Sequence, residues 1–327
     1  MTFDLATLET TSGADPKPHV QCFYDFPEIL DNTAREQFVV CPQKFLYSTI
    51  NKLQPDPSSI HLHAGGAYAA GMEAMRKAFY NKGASEADAL AAGIEATISF
   101  YGDFEPPAGS NKTCERICGA IISYTCQYPL GSDFLTPLRY ATGKHAIEFT
   151  FSVPLPIPHP VTGNPLLYAG RFDMLGVDKH STLFVVDDKT TSQLGASWSA
   201  NWDLNSQFTG YCWAAQTFGY PVAGAIIRGV SLLKTDYGHA QAIIYRPQWV
   251  LDRWYEQLIH DVQAMVEAWR KAQFSYALGA ACSAYGGCEF KRLCLTQNLD
   301  SQIQAYYKQR HWNPLEKDPE ETKGVAK

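Results

Sequence analysis

The sequence predicts an α/β fold in which a mixed central sheet is flanked by helices. Runs of apolar, β-branched and aromatic residues bounded by turn residues are typical of strands. Segments with the spacing of amphipathic helices precede and follow these runs. The 327 residues, 46% of them hydrophobic, can bury a sizeable core as one large domain or two closely joined ones. We interpret residues 21–312 as a single domain.

The N-terminal half is predicted to be mainly helical. Residues 1–20 are rich in Thr, Pro and Asp and are expected to form a flexible arm. A helix begins at Asp31 or Asn32, either of which can cap it, and is interrupted near Pro42. A second helix starts with the glycines of HLHAGGAYAAGMEAMRKAFY, and residues 84–128 also read as helical. Small residues in the second helix would permit close packing against the sheet.

The C-terminal half is predicted to supply the sheet. The strands are HAIEFTFSVPLP, LLYAGRFDMLGV, STLFVVDDKTT, VAGAIIRGVSLLKT and HAQAIIYRP. A long amphipathic helix begins at Pro247 and runs through QWVLDRWYEQLIHDVQAMVEAWRKAQF. Residues 313–327 are charged and contain proline, so we expect a disordered tail.

Three charged side chains are expected to meet on two neighbouring strands. LLYAGRFDMLGV and STLFVVDDKTT are separated by turn-like residues 178–181, which indicates adjacent strands. Because side chains alternate along a strand, Asp187 and Lys189 share one face and Asp188 points to the other. Asp173 on the first strand can then lie beside Asp187 and Lys189.

Two carboxylates and an ammonium group suit the hydrolysis of a phosphodiester. Asp173 and Asp187 are hard oxygen ligands that can hold Mg²⁺ or Mn²⁺. Lys189 could orient or help deprotonate the attacking water, or offset charge on the phosphorus. The alternative is a surface hairpin in which Asp and Lys form an ordinary solvated ion pair.

These residues resemble the PD-(D/E)XK nuclease superfamily, in its RecB-like exonuclease branch. GRFD supplies Asp173, VVDDKTT supplies the D-x-K pair, and Gln207 with Tyr211 matches a following Q-x-x-x-Y. The resemblance implies a restriction-endonuclease-like core and a catalytic Lys189. It also implies that Asp173, Asp187 and the main-chain carbonyl of Asp188 are metal ligands. Gln207 and Tyr211 lie one helical turn apart and could face the carboxylates and DNA.

Part of the family pattern is missing. Many RecB-like nucleases carry a metal-binding His about four residues after a glycine turn, where this sequence has Ala69 or Ala70. His61 and His63 do not match that position, and we interpret them as polar residues at a helix entrance.

Other candidates near the site have weaker support. Glu148 is a secondary candidate, for which we expect a surface role on an edge strand. Trp198 and Trp202, in a polar segment, are candidates for stacking on unpaired bases. Glu73 could reach the site or form part of a solvated helix face.

The cysteines form a second pattern. CSAYGGCEFKRLC places Cys282, Cys288 and Cys294 at C-x5-C-x5-C spacing, and a four-ligand site needs a distant fourth thiolate. Cys41, within CPQKFLY, is the natural supplier. A four-thiolate site could hold Zn²⁺, and unligated core cysteines are the alternative.

The cysteine pattern also resembles a family feature. Iron-sulphur RecB-like nucleases, including the AddB nuclease domain and CRISPR-associated exonucleases, join an early Cys to three late ones, most often as C-x2-C-x5-C. The resemblance implies a [4Fe-4S] cluster that clasps the N-terminal and C-terminal segments together. The first gap here has five residues, so the ligand at Cys282 is the least defined.

Composition limits the function classes. The formal charge of −6 is not that of a protein that coats DNA non-specifically, but it is compatible with a local basic groove beside an acidic metal site. No apolar stretch is long enough to cross a bilayer, so no membrane partner is expected. The N-terminus also lacks the pattern of a secretory signal, so we expect an intracellular, cytoplasmic location. There, the nine cysteines are unlike a set of structural disulfides.

We therefore expect a metal-dependent DNA nuclease, an exonuclease on single-stranded ends. No phosphate-binding loop of an ATP motor is present, so it would act alone or beside a separate helicase or recombinase. The architecture resembles stand-alone nucleases of phages and mobile elements, which implies recombination, repair or phage DNA metabolism. It also implies a nucleoid location, or the host cytoplasm for a phage protein. The rival hypotheses are a non-catalytic DNA-binding or assembly protein and a zinc-stapled RNA-processing enzyme.

Overall fold

The computed structural model describes residues 25–284, 287–310, 313 and 315. The strands within these ranges are β1 (Ile29–Leu30), β2 (Leu53–Pro55), β3 (Leu135–Pro137), β4 (Ile147–Pro158), β5 (Pro165–Asp178), β6 (Leu183–Thr191), β7 (Val222–Leu232), β8 (Tyr237–Tyr245) and β9 (Tyr307–Gln309). The helices are α1 (Asn32–Val40), α2 (Pro42–Phe45), α3 (Ile60–Arg76), α4 (Glu86–Tyr101), α5 (Cys114–Gln127), α6 (Ala196–Ala200), α7 (Ser206–Thr217), α8 (Gln248–Arg270), α9 (Ala280–Ser283), α10 (Lys291–Cys294) and α11 (Leu299–Tyr306). Two π-helical turns, Leu46–Ile50 and Lys77–Asn81, extend α2 and α3.

A seven-stranded mixed sheet forms the centre of the fold. Its order is β1-β5-β6-β7-β8, and β3 and β4 both pair with β5. The pairs β1–β5 and β6–β7 are parallel, whereas the other pairs are antiparallel. The parallel step from β6 to β7 is made through α6 and α7, because strands that run the same way need a crossover connection.

The sheet forks along one edge of β5. On that edge, β1 pairs with Leu167 and Tyr168, and β6 pairs with residues 174–177. The last pair at this end of the β5–β6 ladder is Met174 with Val186. Beyond it the two strands diverge, while β6 continues in register with β7. The next residue on each diverging strand is an aspartate.

Helices cover both faces of the sheet. One core joins apolar residues of β4, β5, β6 and β7 to α1, α7 and α8. A second core joins α3, α4 and α5 to Val230 and Leu232 of β7. Alternation along β6 therefore sends successive side chains into two different layers.

The C-terminal segment returns to the N-terminal region. β9 pairs with β2 in a separate two-stranded antiparallel sheet. A small core formed by Tyr47, Leu53, Phe290, Leu293 and Tyr307 lies beneath it. The backbone N–H of Gln43 also donates to the carbonyl of Ser275, at 3.1 Å. Packing and backbone pairing thus join the two segments.

The predicted α/β class with a mixed sheet flanked by helices is confirmed. Asp31 caps α1 by accepting the N–H of Ala34, and the helix breaks before Pro42. The prediction that the second helix starts with its glycines was wrong, because α3 begins at Ile60 and contains Gly65 and Gly66, of which Gly66 leaves room for the ring of Phe100. The predicted helical stretch 84–128 is two helices, α4 and α5.

Two further predictions concern parts of the chain at its ends. The arm at residues 1–20 and most of the tail at 313–327 lie outside the described residues, and the domain limits 21–312 stay a prediction. Across the described ranges, no helix has the length and apolarity that crossing a bilayer requires.

Candidate active site

The fork between β5 and β6 brings two aspartates together. The β5–β6 ladder ends at the pair Met174–Val186. Asp173 directly precedes Met174 on β5, and Asp187 directly follows Val186 on β6. The backbone N–H of Asp188 donates to Oδ2 of Asp173 across 2.7 Å. A side chain of β5 is therefore bound to the backbone of β6 where the ladder ends. The fork forms because β5 exchanges β6 for β1 along this edge, while β6 stays paired with β7 on its other edge.

Asp187 and Lys189 form a close ion pair on the face covered by α7 and α8. Nζ of Lys189 lies 2.6 Å from Oδ2 of Asp187, and Asp187 is only 3% exposed. The Lys189 side chain is 31% exposed, and its ammonium lies 5.6 Å from the ring centre of Phe208 on α7. Burial acts to lower the pKa of Lys189, but the charges of Asp187 and Asp173 outweigh it and raise the pKa overall. Lys189 is thus a cation at neutral pH.

Both aspartates are strained electrostatically. Burial raises the pKa of Asp173 well above its ordinary value, and the charges of Asp187, Glu148 and Asp188 raise it further. Burial also raises the pKa of Asp187, although Lys189 opposes this shift. Carboxylates that are buried together repel each other and favour either a proton or a cation. The fork therefore has the charge distribution of a cation site.

Helix α7 places Gln207 and Tyr211 beside the fork. Nε2 of Gln207 donates to the Tyr211 hydroxyl at 2.9 Å, as residues four apart on one helical face can. The Tyr211 ring packs against Phe172 of β5 and Phe208. Burial raises the pKa of Tyr211 well above its ordinary value, and the nearby charge of Asp187 adds to the shift. The hydroxyl is therefore neutral.

The side chain of Asp188 enters the opposite layer. Its Oδ2 lies 2.6 Å from Nη1 of Arg76, at the end of α3, and both side chains are almost fully buried. Asp188 thus reaches the fork through its backbone, while its carboxylate is held behind the sheet. Arg76 could not be identified from the sequence, because the pairing of a helix end with a strand 112 positions later has no local signal.

Glu148 belongs to the site rather than to the surface. It is 5% exposed and pairs with Arg171 at 2.8 Å, so the expected surface role was wrong. Its neighbours Ile147 and Phe149 pair with Met174 and Phe172, which sets Glu148 opposite Asp173. Its φ of +57° is left-handed, an unfavourable conformation for a residue with a side chain. Such strain is often concentrated at functional sites.

The tryptophans do not form an exposed stacking surface. Trp198 is 6% exposed and packs against Gly229 of β7. The Trp202 ring packs against Trp198 and Phe208, and its carbonyl accepts from Arg246. The expectation of stacking on bases was wrong for Trp198, which α6 places in the core, whereas Trp202 follows α6 and is half-buried. His61 is exposed at the start of α3, as expected.

The four predicted cysteine ligands lie in one region but do not form a closed site. Burial, and then charges on Cys288, Cys41 and Cys282, raise the pKa of the Cys294 thiol to about 11, so the other three thiols lie near it. Within the described ranges, however, no three His, Cys, Asp or Glu side chains are close enough together to hold a metal ion. The structure therefore does not show an iron-sulphur clasp. Two carboxylates with water ligands suffice for Mg²⁺, so the same finding does not exclude that ion at the fork.

The structure thus has a mixed sheet flanked by helices, with two carboxylates and a lysine at a fork between two strands. Residues 32–295 match the family model described as the PD-(D/E)XK nuclease superfamily. The match covers most of the chain, so the protein belongs to that superfamily. Asp173, Asp187, Lys189, Gln207 and Tyr211 all lie within the matched range.

Two solved structures share a distant likeness. A protein of Eubacterium rectale named "putative exonuclease" has a TM-score of 0.47 at 10% identity, over 83% of this chain and 94% of that chain. A protein named SSO0001 has a TM-score of 0.30 at 13% identity, over 69% of this chain and 84% of that chain. A comparison with curated proteins returned no match. At these TM-scores and identities, neither structure bears on the substrate of this protein.

Proposed function

We propose that the protein is a metal-dependent deoxyribonuclease that digests single-stranded DNA from its ends. The observation that carries the proposal is the fork, where Asp173 and Asp187 lie beside the ammonium of Lys189. Membership of the PD-(D/E)XK superfamily supports phosphodiester cleavage. The preference for ends and for single strands is supported by the resemblance of GRFD, VVDDKTT and Q-x-x-x-Y to the RecB-like exonuclease branch.

The donor set of the fork fits Mg²⁺ or Mn²⁺. Asp173 and Asp187 would hold the ion, with the main-chain carbonyl of Asp188 as a further ligand. These are hard oxygen donors, and the remaining positions can be filled by water and phosphate oxygens. Burial, and then repulsion between the carboxylates, raise the pKa of both aspartates, and a divalent cation would offset both effects. When bound, it supplies polarisation of the phosphate and a lower pKa for a water ligand.

The side chains around the fork have distinct tasks in this proposal. The Lys189 ammonium, held by Asp187, offsets negative charge that develops on the phosphate as water attacks phosphorus and the bond to the leaving oxygen breaks. Gln207 retains one amide proton that can donate to a phosphate oxygen of the DNA backbone, because its other proton binds Tyr211. Tyr211 holds the side chain of Gln207 in place, and its ring lies between the fork and the apolar core.

We propose a [4Fe-4S] cluster on Cys41, Cys282, Cys288 and Cys294, with Zn²⁺ as the alternative. The grouping of the thiols around Cys294 supports it, as does the resemblance of CPQKFLY and the late cysteines to iron-sulphur RecB-like nucleases. Because the described thiols are too far apart to hold a metal, the proposal requires them to move inward on binding. Iron analysis and absorbance near about 400 nm after anaerobic purification separate iron from zinc.

The setting follows from the proposed substrate. DNA ends arise inside cells, so we place the protein in the cytoplasm or nucleoid, in recombination, repair or phage DNA metabolism. A separate helicase or recombinase is the partner that this chemistry suggests, since a strand must be unwound before it can be digested as a single strand.

The proposal is tested with end-labelled linear and circular single-stranded DNA of the same sequence. With Mn²⁺ we expect the linear strand to be shortened from an end, the circle to persist, and EDTA to stop the reaction. Matched double-stranded DNA and RNA report strand and sugar preference. Cleavage of the circle at the rate of the linear strand would contradict the exonuclease proposal, and binding without cleavage of any substrate would favour a non-catalytic DNA-binding protein.

A further inference from the structure

A buried charged network lies directly behind the fork, between the sheet and helices α3 and α5. Asp188 of β6 and Arg228 of β7 are register partners, so their side chains enter the same layer. Arg228 makes a two-pronged contact with Asp133, at 2.5 and 2.8 Å. Its side chain is 1% exposed. Two buried guanidinium groups in one layer require close partners, because an unpaired charge there loses its hydration.

The network is continuous from Asp133 to Asp188. Nη1 of Arg228 and Nη2 of Arg76 both donate to the Tyr124 hydroxyl, at 2.9 Å each. Arg76 then reaches the carboxylate of Asp188 at 2.6 Å. Two aspartate–arginine pairs thus flank one tyrosine, which both arginines contact, and the formal charges of the pairs cancel. A buried network in which every charge has a partner is rigid and favours a single arrangement of its side chains.

The network ends at the fork itself. Residue 188 contributes two groups: a carboxylate that binds Arg76, and a backbone N–H that donates to Oδ2 of Asp173. Oδ1 of Asp188 has no hydrogen-bond partner among the described residues, so the carboxylate depends on Arg76. Burial acts to lower the pKa of Arg76, but the charges of Asp188 and Asp173 raise it overall, so the guanidinium stays charged.

We infer that Asp188 is a positioning residue for the cation site. Its ion pair with Arg76 fixes the β6 backbone where it leaves β5, and the Asp188 N–H thereby orients the carboxylate of Asp173. The inference rests on the proposed function, because it assigns Asp173 to the cation. Groups that orient metal ligands in this way typically contribute about 10- to 100-fold to metal affinity.

The experiment measures Mn²⁺ binding to the full chain by electron paramagnetic resonance, without DNA. We expect Asp188→Asn and Arg76→Gln each to weaken Mn²⁺ binding about tenfold, because either change leaves one buried partner unpaired. The double variant should lose little more than either single one, since both act through the same contact. Where Asp188→Asn does not fold, Arg76→Lys keeps the charge and should give a loss smaller than tenfold.

Asp261→Asn is the matched control. Asp261 is a buried carboxylate on α8 that pairs with Arg35 at 2.7 Å, so its loss is a similar lesion outside the network. We expect a lower melting temperature and unchanged Mn²⁺ affinity. Wild-type Mn²⁺ affinity in folded Asp188→Asn, or an equal loss in Asp261→Asn, would overturn the inference while the wild type still cleaves DNA. A wild type that binds no Mn²⁺ would instead overturn the proposed function as well.

Discussion

The ammonium of Lys189 lies 2.6 Å from Oδ2 of Asp187, two positions earlier on the same strand. The positive charge of Lys189 thus directly contacts a carboxylate that we propose as a ligand of the metal ion. The lysine and the cation therefore share one ligand. A change at Lys189 should therefore affect catalysis and metal binding differently.

Lys189→Met should abolish most cleavage without weakening metal binding. The loss of a cation aimed at the developing charge should reduce kcat by about a hundredfold. Mn²⁺ affinity should stay equal or rise, because Lys189 no longer competes for Asp187. Single-turnover cleavage and Mn²⁺ titration on the same preparation measure both effects. Weaker Mn²⁺ binding together with normal kcat would contradict the proposed role.

Asp173→Asn should stabilise the metal-free protein at neutral pH. Because burial, and then Asp187, raise the pKa of Asp173 in the folded state, that state binds more protons than the unfolded chain between the two pKa values. Stability then falls as pH rises through the raised pKa. The asparagine cannot ionise and should add about 1 kcal/mol to the free energy of unfolding.

Urea unfolding in EDTA at several pH values measures this effect of Asp173. The wild type should lose stability as pH rises above the ordinary range of an aspartate, and the variant should lose less. Saturating Mg²⁺ should reduce the difference, because it stabilises the ionised carboxylates. Identical pH profiles for the two proteins would show that Asp173 is not electrostatically strained.

Tyr211→Phe should weaken catalysis moderately without unfolding α7. The change removes the hydroxyl that accepts from Gln207 and keeps the ring in its apolar contacts. One lost hydrogen bond of about 1 kcal/mol corresponds to roughly a fivefold fall in kcat/KM. Thr217→Val, at the exposed end of the same helix, is the control and should be silent. A similar loss in both variants would indicate a general effect on the helix.

Cys288→Ser should remove the proposed cluster and weaken the contact between the segment around Cys41 and the segment that holds the three late cysteines. We expect loss of iron and a melting temperature lower by about 5 °C, because the energy of metal binding contributes to folding. Cys126→Ser is the control, since Cys126 is an exposed thiol on α5. Retained iron in Cys288→Ser would remove that residue from the ligand set. A wild type without iron or zinc would reject the cluster altogether.

Most of the fold could be predicted from local patterns, because the spacing of apolar residues reflects which side chains are buried. The alternation in LLYAGRFDMLGV and STLFVVDDKTT indicates two strands, and the structure has β5 and β6 there. Asp31 and Pro42 mark the start of α1 and the break before α2, since caps and prolines act locally. The fork itself is not local, because it depends on β5 exchanging β1 for β6 along one edge.

Residues whose partners are distant in sequence were harder to predict. Glu148 lies on an edge strand, as expected, but its burial follows from its register with β5, a relationship between two strands. Arg76 resembles a surface residue at a helix end, yet its partner is Asp188. Trp198 lies in a polar segment, and only the turn through α6 places it against Gly229. One signal for Glu148 was available in the sequence. It lies on the predicted strand that precedes the strand of Asp173, so the two acidic side chains could be placed opposite each other.

Cleavage of end-labelled single-stranded DNA by Asp187→Ala, compared with the wild type in Mn²⁺ and in EDTA, tests the central claim most directly. We expect the wild type to degrade the strand with Mn²⁺ alone. The folded variant should be at least about a hundredfold slower, since it lacks a proposed metal ligand. Undiminished cleavage by the purified variant, or wild-type cleavage that EDTA does not affect, would contradict a metal-dependent nuclease site at the fork.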